Sequence, residues 1–130
     1  AMTSLAAATH FIRELRARGC RFSLDDFGSG LSSFIFLKSL PVDFLKLDCQ
    51  FMHNVTRDHI DRSMVEAIAQ IGASMNIRTI AERVDSADVL ARLADIGIQY
   101  AQGNYISAPR PVSVLESLVG VESAELRRLA

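Results

Sequence analysis

The chain has 130 residues, 49% hydrophobic and 22% charged, with a formal net charge of −1. That length supports one domain with a real core, and the composition is globular, which excludes disorder. The charge balance gives no bulk attraction to nucleic acid or to an anionic membrane, so an anionic ligand has to be held by local groups or by metals.

Residues 4–18 read as a helix: Leu5, Ala8, Phe11, Ile12 and Leu15 share one face, Ser4 stands where a cap belongs, and Gly19 ends it. The "RELRARG" stretch inside it reads as a solvated face. Arg21–Asp26 reads as a short strand, and the next helix runs from about Leu31 to Ser39, stopping at Leu40-Pro41. Val42–Asp48 is the second strand. A long helix follows from about Arg57 to Met75, with Ile60, Met64, Ile68 and Ile71 as its apolar face. Ile77–Glu82 is the third strand, followed by a helix from about Ser86 to Asp95 that Gly97 closes. Ile98–Ile106 is the fourth strand. Pro109 and Pro111 mark a turn before a last helix near Val114–Leu118, and Glu122–Leu129 reads as a further helical turn or two.

Apolar strands each followed by a helix favour an α/β fold with a parallel sheet. Two architectures fit: an open doubly wound sheet, or part of a (β/α)8 barrel. The turn after the first strand carries neither GxGxxG nor GxxxxGK[ST], which argues against a nucleotide-binding fold of those types. Cys20 and Cys49 are unclustered, which suits two packed thiols in a reducing cytoplasm. No stretch reaches the ~18 apolar residues that span a bilayer, and no leader with a cleavage site is expected from the N-terminal pattern.

The chemistry gathers at the strand ends. Asp25 and Asp26 end the first strand, Lys46 and Asp48 the second, and Glu82 the third, while Gln102 sits within the fourth. In a parallel α/β sheet these C-terminal ends share one edge, so the groups converge. Asp25 and Asp26 have two readings. Asp26 caps the following helix while Gly28 and Gly30 shape the loop, or the adjacent carboxylates hold a divalent cation that relieves their repulsion. Lys46 either pairs with Asp48, two residues on, or reaches a polar cavity to orient a water or a phosphate oxygen. Glu82 either pairs with Arg83 or Arg78 or is a ligand. Asp85 or Ser86 caps the next helix. Gln102-Gly103 reads as a strand residue beside a close backbone approach. His10, His53 and His59 have no metal-ligand spacing and read as exposed or lightly packed.

The motifs "LDDFGSG", "LPVDFLKLD", "IAERVDS" and "AQGNYIS" resemble, in order and spacing, the later motifs of the EAL domain, a family that hydrolyses the bacterial messenger cyclic di-GMP. The resemblance runs from about Ser4 to Pro111. It implies a TIM-type barrel with two divalent metals, Mg²⁺ or Mn²⁺, at its mouth, and hydrolysis of one phosphodiester bond to linear pGpG. By resemblance Asp25, Asp26 and Glu82 are metal ligands, Lys46 contacts the nucleophilic water, and Gln102 lies at the edge of the active site. Gly28, Ser29, Gly30, Asp48 and Asp85 fall in its substrate-binding or loop positions.

Four positions depart from the family pattern. Ser29 stands for Thr, Arg83 for Gly, Asp85 for Glu, and Asn104 for an aromatic residue. The Glu-Ala-Leu motif and the ligands of the earlier strands do not occur. A (β/α)8 barrel takes about 250 residues, so residues 1–130 read as one unit, the C-terminal half of such a domain, with 112–130 a C-terminal helical segment. The chain alone is then expected to be inactive. The alternative is a non-catalytic module that binds cyclic di-GMP or a protein. The expected partners are cyclic di-GMP and either a second copy of the chain or the missing N-terminal half of the barrel, with no nucleic-acid polymer and no membrane contact from this segment. The expected location is cytoplasmic.

Overall fold

The computed structural model describes residues 2–28, 32–52 and 54–111. The helices expected near Val114–Leu118 and Glu122–Leu129 lie outside the described residues, as do Ser29, Gly30, Leu31 and His53. Helices and strands alternate: α1 (Met2–Ala17), β1 (Ser23–Phe27), α2 (Ser32–Ser39), β2 (Phe44–Leu47), α3 (His59–Ser74), β3 (Arg78–Ala81), α4 (Ala87–Ile96) and β4 (Tyr100–Ala101). A short 3-10 turn, Cys49–Phe51, follows β2. Helix α1 starts at Met2, so Ser4 lies inside its first turn and does not cap it.

The strand order decides between the two architectures. A doubly wound sheet reverses its order at a switch point. Here four parallel strands run β1-β2-β3-β4 with no reversal. Right-handed crossovers then carry every helix to the same side of the sheet, as in the wall of a barrel. Helix α1 packs on α2, and α3 on α4.

Side chains alternate across each strand. Leu45 and Leu47 of β2 and Thr79 and Ala81 of β3 face the helices with no exposed surface. With Phe27 they form a core against Val65 and Ile68 of α3 and Val89 and Leu93 of α4. The stripe of α3 that meets the sheet is Val65, Ile68, Ala69 and Gly72. Ile60 and Met64, expected on that face, are 57% and 45% exposed. The helix is rotated toward the stripe ending at Gly72, where a Cβ would approach the Thr79 methyl at 2.8 Å, so the small residue lets α3 lie close to β3. Phe11 of α1 is likewise exposed, touching Phe22 edge-on, and only Ile12 of its expected face is buried. Cys20 is exposed and unpaired rather than packed.

Two polar residues, Asp43 and Gln99, fix the sheet's N-terminal edge. The Phe22 amide donates to Asp43 Oδ2 at 2.9 Å and the Arg16 guanidinium to Asp43 Oδ1 at 2.8 Å. The Asp43 carbonyl accepts from the Arg78 amide, tying the entry to β3. Gln99 does similar work one strand on. Because β4 begins only at Tyr100, the buried Thr79 amide and hydroxyl lack a ladder partner, and Gln99 Oε1 accepts from both at 2.8 and 2.7 Å.

The fourth strand is two residues long, not the nine of Ile98–Ile106. The chain leaves the ladder at Gln102 because the backbone there binds the loop after β3. The Gln102 amide donates to the Ala81 carbonyl, the Val84 amide donates to the Gln102 carbonyl, and the Tyr105 amide donates to the Val84 carbonyl. Gln102 therefore stands just past the strand.

Candidate functional site

The carboxylates converge through an irregularity in β1. In a regular strand, neighbours such as Asp25 and Asp26 point to opposite faces. Here Leu24 pairs with Leu45 and Phe27 with Leu47, so Asp25 and Asp26 together stand opposite the single residue Lys46. This is a β-bulge, which inserts one residue and re-aims side chains. Asp26 takes the left-handed backbone, φ 52°, that the extra residue needs. Asp is among the few side chains that enter this region readily. The Asp26 amide donates to Asp25 Oδ1 at 3.0 Å, which ties the pair together.

Glu82 follows β3 on the face that alternation assigns to Ile80, and Ile80 is the register partner of Lys46. One carboxylate oxygen from each of Asp25, Asp26 and Glu82 lies within 4.8 Å of the others. Lys46 closes the group, pairing with Glu82 and reaching Asp25 Oδ2 at 3.4 Å. The ion pair weighed between Lys46 and Asp48 does not form. Asp48 Oδ1 instead accepts from the Gln50 amide at 2.9 Å and caps the 3-10 turn.

The hydrogen bond to Glu82 holds the Lys46 ammonium above the ordinary lysine pKa, helped by the charge of Asp25 and opposed by burial. A raised folded-state value means the pair stabilises fully below the unfolded pKa and loses that contribution as pH climbs through the folded one. Wild-type stability is therefore expected to fall above about pH 10.5. Lys46→Met should remove that part of the fall, about 1 kcal/mol for a partly exposed pair; melting temperature followed against pH for the two proteins checks it.

Glu82 also lines a cavity of about 540 Å³ with Arg83, Asp85, Gln102 and Asn104. Ser86, not Asp85, caps α4, its Oγ accepting from the Val89 amide at 3.4 Å. Asp85 is thereby left facing the cavity. Gln102 comes to the same cavity, but its backbone, rather than its side chain, makes the bonds described above. Gly28 turns the chain out of β1 at φ +105° and packs under the Phe51 ring. A larger cavity, about 600 Å³, lies at the opposite end of the sheet among Arg13, Arg16, Arg21, Lys38 and Arg78. Arg16 and Lys38 sit in the last turns of α1 and α2, where cations complement the helix dipole. The converging carboxylates, not the larger cavity, mark the site.

Residues 1–109 match the EAL domain. The chain belongs to the EAL domain family. It is 42% identical over 102 residues to the cyclic di-GMP phosphodiesterase PdeB of Shewanella oneidensis and 35% identical over 102 residues to the cyclic di-GMP phosphodiesterase PdeA of Borreliella burgdorferi. Each match takes in 78% of this chain but only 12% and 15% of the relatives. Among solved structures, the EAL domain of Mycobacterium smegmatis DcpA superposes with a TM-score of 0.82 at 29% identity, covering 89% of this chain and 52% of that one. The PaMucR phosphodiesterase in complex with c-di-GMP superposes at 0.76 and 34% identity, covering 85% and 44%. The chain thus spans about half of a solved EAL domain, and its four strands are part of a TIM-type barrel wall.

Membership in the EAL family gives Arg83 a physical meaning. Its φ is 52°, in the left-handed region, which explains the Gly of the family pattern at this position. A side chain there costs about 1 kcal/mol. Arg83→Gly is expected to stabilise the fold by about that amount, read as a higher urea midpoint at unchanged slope.

Proposed function

We propose that this chain is the C-terminal half of a metal-dependent cyclic di-GMP phosphodiesterase domain, residues 1–130 acting as one unit. The observation that carries the reading is the convergence of Asp25, Asp26 and Glu82 on one point with Lys46 against them. Three hard carboxylate oxygens fit Mg²⁺ or Mn²⁺, with remaining positions left to water and ligand. Asp25, Asp26 and Glu82 would hold the metal, and a bound divalent ion supplies an activated water and a counter-charge for the phosphodiester. Lys46, held charged by Glu82 and Asp25, would orient that water and offset developing negative charge. Gln102 and Asp85 border the ligand cavity, Gly28 turns the chain out of the bulge, Asp48 caps the turn after β2, and Ser29 and Gly30, outside the described residues, are substrate-binding or loop positions by family resemblance.

The ligand class is cyclic di-GMP. A barrel needs further strands to cover the open face of β1–β4, from a preceding half or from a second copy. No helix among the described residues is long and apolar enough to cross a membrane, and the free, exposed Cys20 suits a reducing, cytoplasmic setting. A second reading, a non-catalytic cyclic di-GMP-binding module, is favoured by Arg83, a bulky cation beside a ligand where the family pattern has Gly.

Turnover tests the choice. With Mn²⁺ and cyclic di-GMP, the isolated chain is expected to release no pGpG. The same residues within a complete EAL barrel are expected to release it, and to stop when Lys46 becomes methionine. A complete barrel that binds cyclic di-GMP without turnover would overturn the catalytic reading in favour of the binding module.

A further inference from the structure

Arg83 borders the same cavity as Glu82 and is exposed to it. Its segment is pinned, because the Val84 amide and carbonyl on its C-terminal side are both bonded to the 102–105 loop. The strained backbone of Arg83 is therefore held in place rather than relaxed, and strain of this kind persists where the surroundings over-determine it. Among the described residues the Arg83 guanidinium makes no ion pair or hydrogen bond. Asp85, two residues on and lining the same cavity, does not take it.

The charges at the site explain what such a group would do. Asp25, Asp26 and Glu82, offset by Lys46, leave two negative charges. A divalent cation held by these three carboxylates has its charge largely cancelled by them, so a cationic side chain beside it adds to what the site offers an anion. A cyclic dinucleotide brings one negative charge on each of two phosphodiesters. Arginine presents a planar fork that matches phosphate oxygens and is only weakly hydrated, so it binds phosphate with directional, charge-assisted hydrogen bonds.

We propose that Arg83 is a phosphate-binding residue of this site, seating a phosphodiester of a cyclic dinucleotide beside the carboxylate cluster. The inference rests on the cyclic dinucleotide reading, and holds for its catalytic and its binding form alike. It gives this chain a contact that a glycine at the same position cannot make, at a cost in backbone stability.

Calorimetric titration of the 130-residue chain, and of a complete EAL barrel carrying the same residues, tests it, using Mn²⁺ alone, then cyclic di-GMP and guanosine in the presence of Mn²⁺. Arg83→Gly is expected to weaken cyclic di-GMP binding roughly ten- to hundredfold, the worth of a charge-assisted contact. Mn²⁺ and guanosine binding should not weaken. Arg83→Lys, which keeps the charge and the strained backbone, should retain part of the affinity. Because Arg83→Gly is also expected to be the more stable protein, a loss of affinity could not be put down to unfolding. Equal cyclic di-GMP affinity in wild type and Arg83→Gly would overturn the proposal while leaving the ligand reading intact. Cyclic di-GMP binding by neither the chain nor the complete barrel, with Mn²⁺ bound, would overturn the ligand reading itself, and this proposal with it.

Discussion

Glu82→Gln is expected to weaken Mn²⁺ binding by the chain by about 100-fold or more. Changing a residue that merely orients a metal ligand typically costs roughly ten- to hundredfold in affinity, and Glu82 is the carboxylate on which the cluster converges. It follows β3 while Asp25 and Asp26 lie in β1, so it alone brings a second strand's end to the cluster. It is also the partner that Lys46 pairs with most closely. The amide keeps the shape and the hydrogen-bonding oxygen but removes the charge, which separates ligation from packing. Asp48→Asn provides the contrast. Asp48 is one strand away and spends its carboxylate on the Gln50 amide, so its loss should leave Mn²⁺ affinity within about twofold, a difference of under 0.5 kcal/mol. Titration of free Mn²⁺ by electron paramagnetic resonance reads both. Equal loss in the two variants would sink the assignment of the cluster.

Gly103→Ala is expected to destabilise the fold by about 3 kcal/mol and to disturb the site with it. A Cβ at this position would run into the nitrogen, carbonyl carbon and oxygen of Val84. The obstacle is backbone, and it cannot step aside, because Val84 is bonded to Gln102 at 3.0 Å and to Tyr105 at 3.1 Å. Overpacking against a fixed neighbour costs about 1–3 kcal/mol, and separating the loops breaks hydrogen bonds worth about 1 kcal/mol each. The two loops involved carry Glu82, Arg83 and Gln102, so Mn²⁺ affinity should fall together with the urea midpoint. A Gly103→Ala protein with wild-type stability would show that the 82–84 and 102–105 segments are not locked together.

Most of the candidate cluster is legible from residue types at strand ends. Paired aspartates, a strand lysine and a glutamate after "RTIA" could be assigned to one edge because parallel strands end together. Their partners were not. Two residues apart on one strand are about 6.8 Å distant, whereas neighbouring strands lie about 4.8 Å apart. Lys46 therefore takes Glu82 across the sheet and not Asp48 along it. Periodicity alone leaves barrel and doubly wound sheet open, because strand order depends on which way each crossover turns and not on the residues within a strand; the motif resemblance is what points to the barrel. On α3, helical periodicity marked Ile60 and Met64 as a possible face, but the close approach at Gly72 sets the rotation, and that contact depends on where β3 lies. Tyr105 and Ile106 continue the apolar pattern of the fourth strand beyond its end at Ala101. Gly103 gives the reason it stops, and a close approach to Val84 cannot be seen from either residue alone.

The bulge in β1 also changes which genetic lesions matter. Point substitutions at Asp25 or Asp26 remove one carboxylate and leave the other in place. A single-residue deletion between Leu24 and Phe27 is different in kind. It restores a regular ladder, sends the surviving position to whichever face the alternation dictates, and withdraws the αL residue that turned the second carboxylate inward. A chain could keep an aspartate here, a glutamate at 82 and a lysine at 46, and still have no shared focus for them. In comparing members of such a family, the length of the segment between Leu24 and Phe27 is thus a better guide to a shared focus of carboxylates than the identity of any one acid within it.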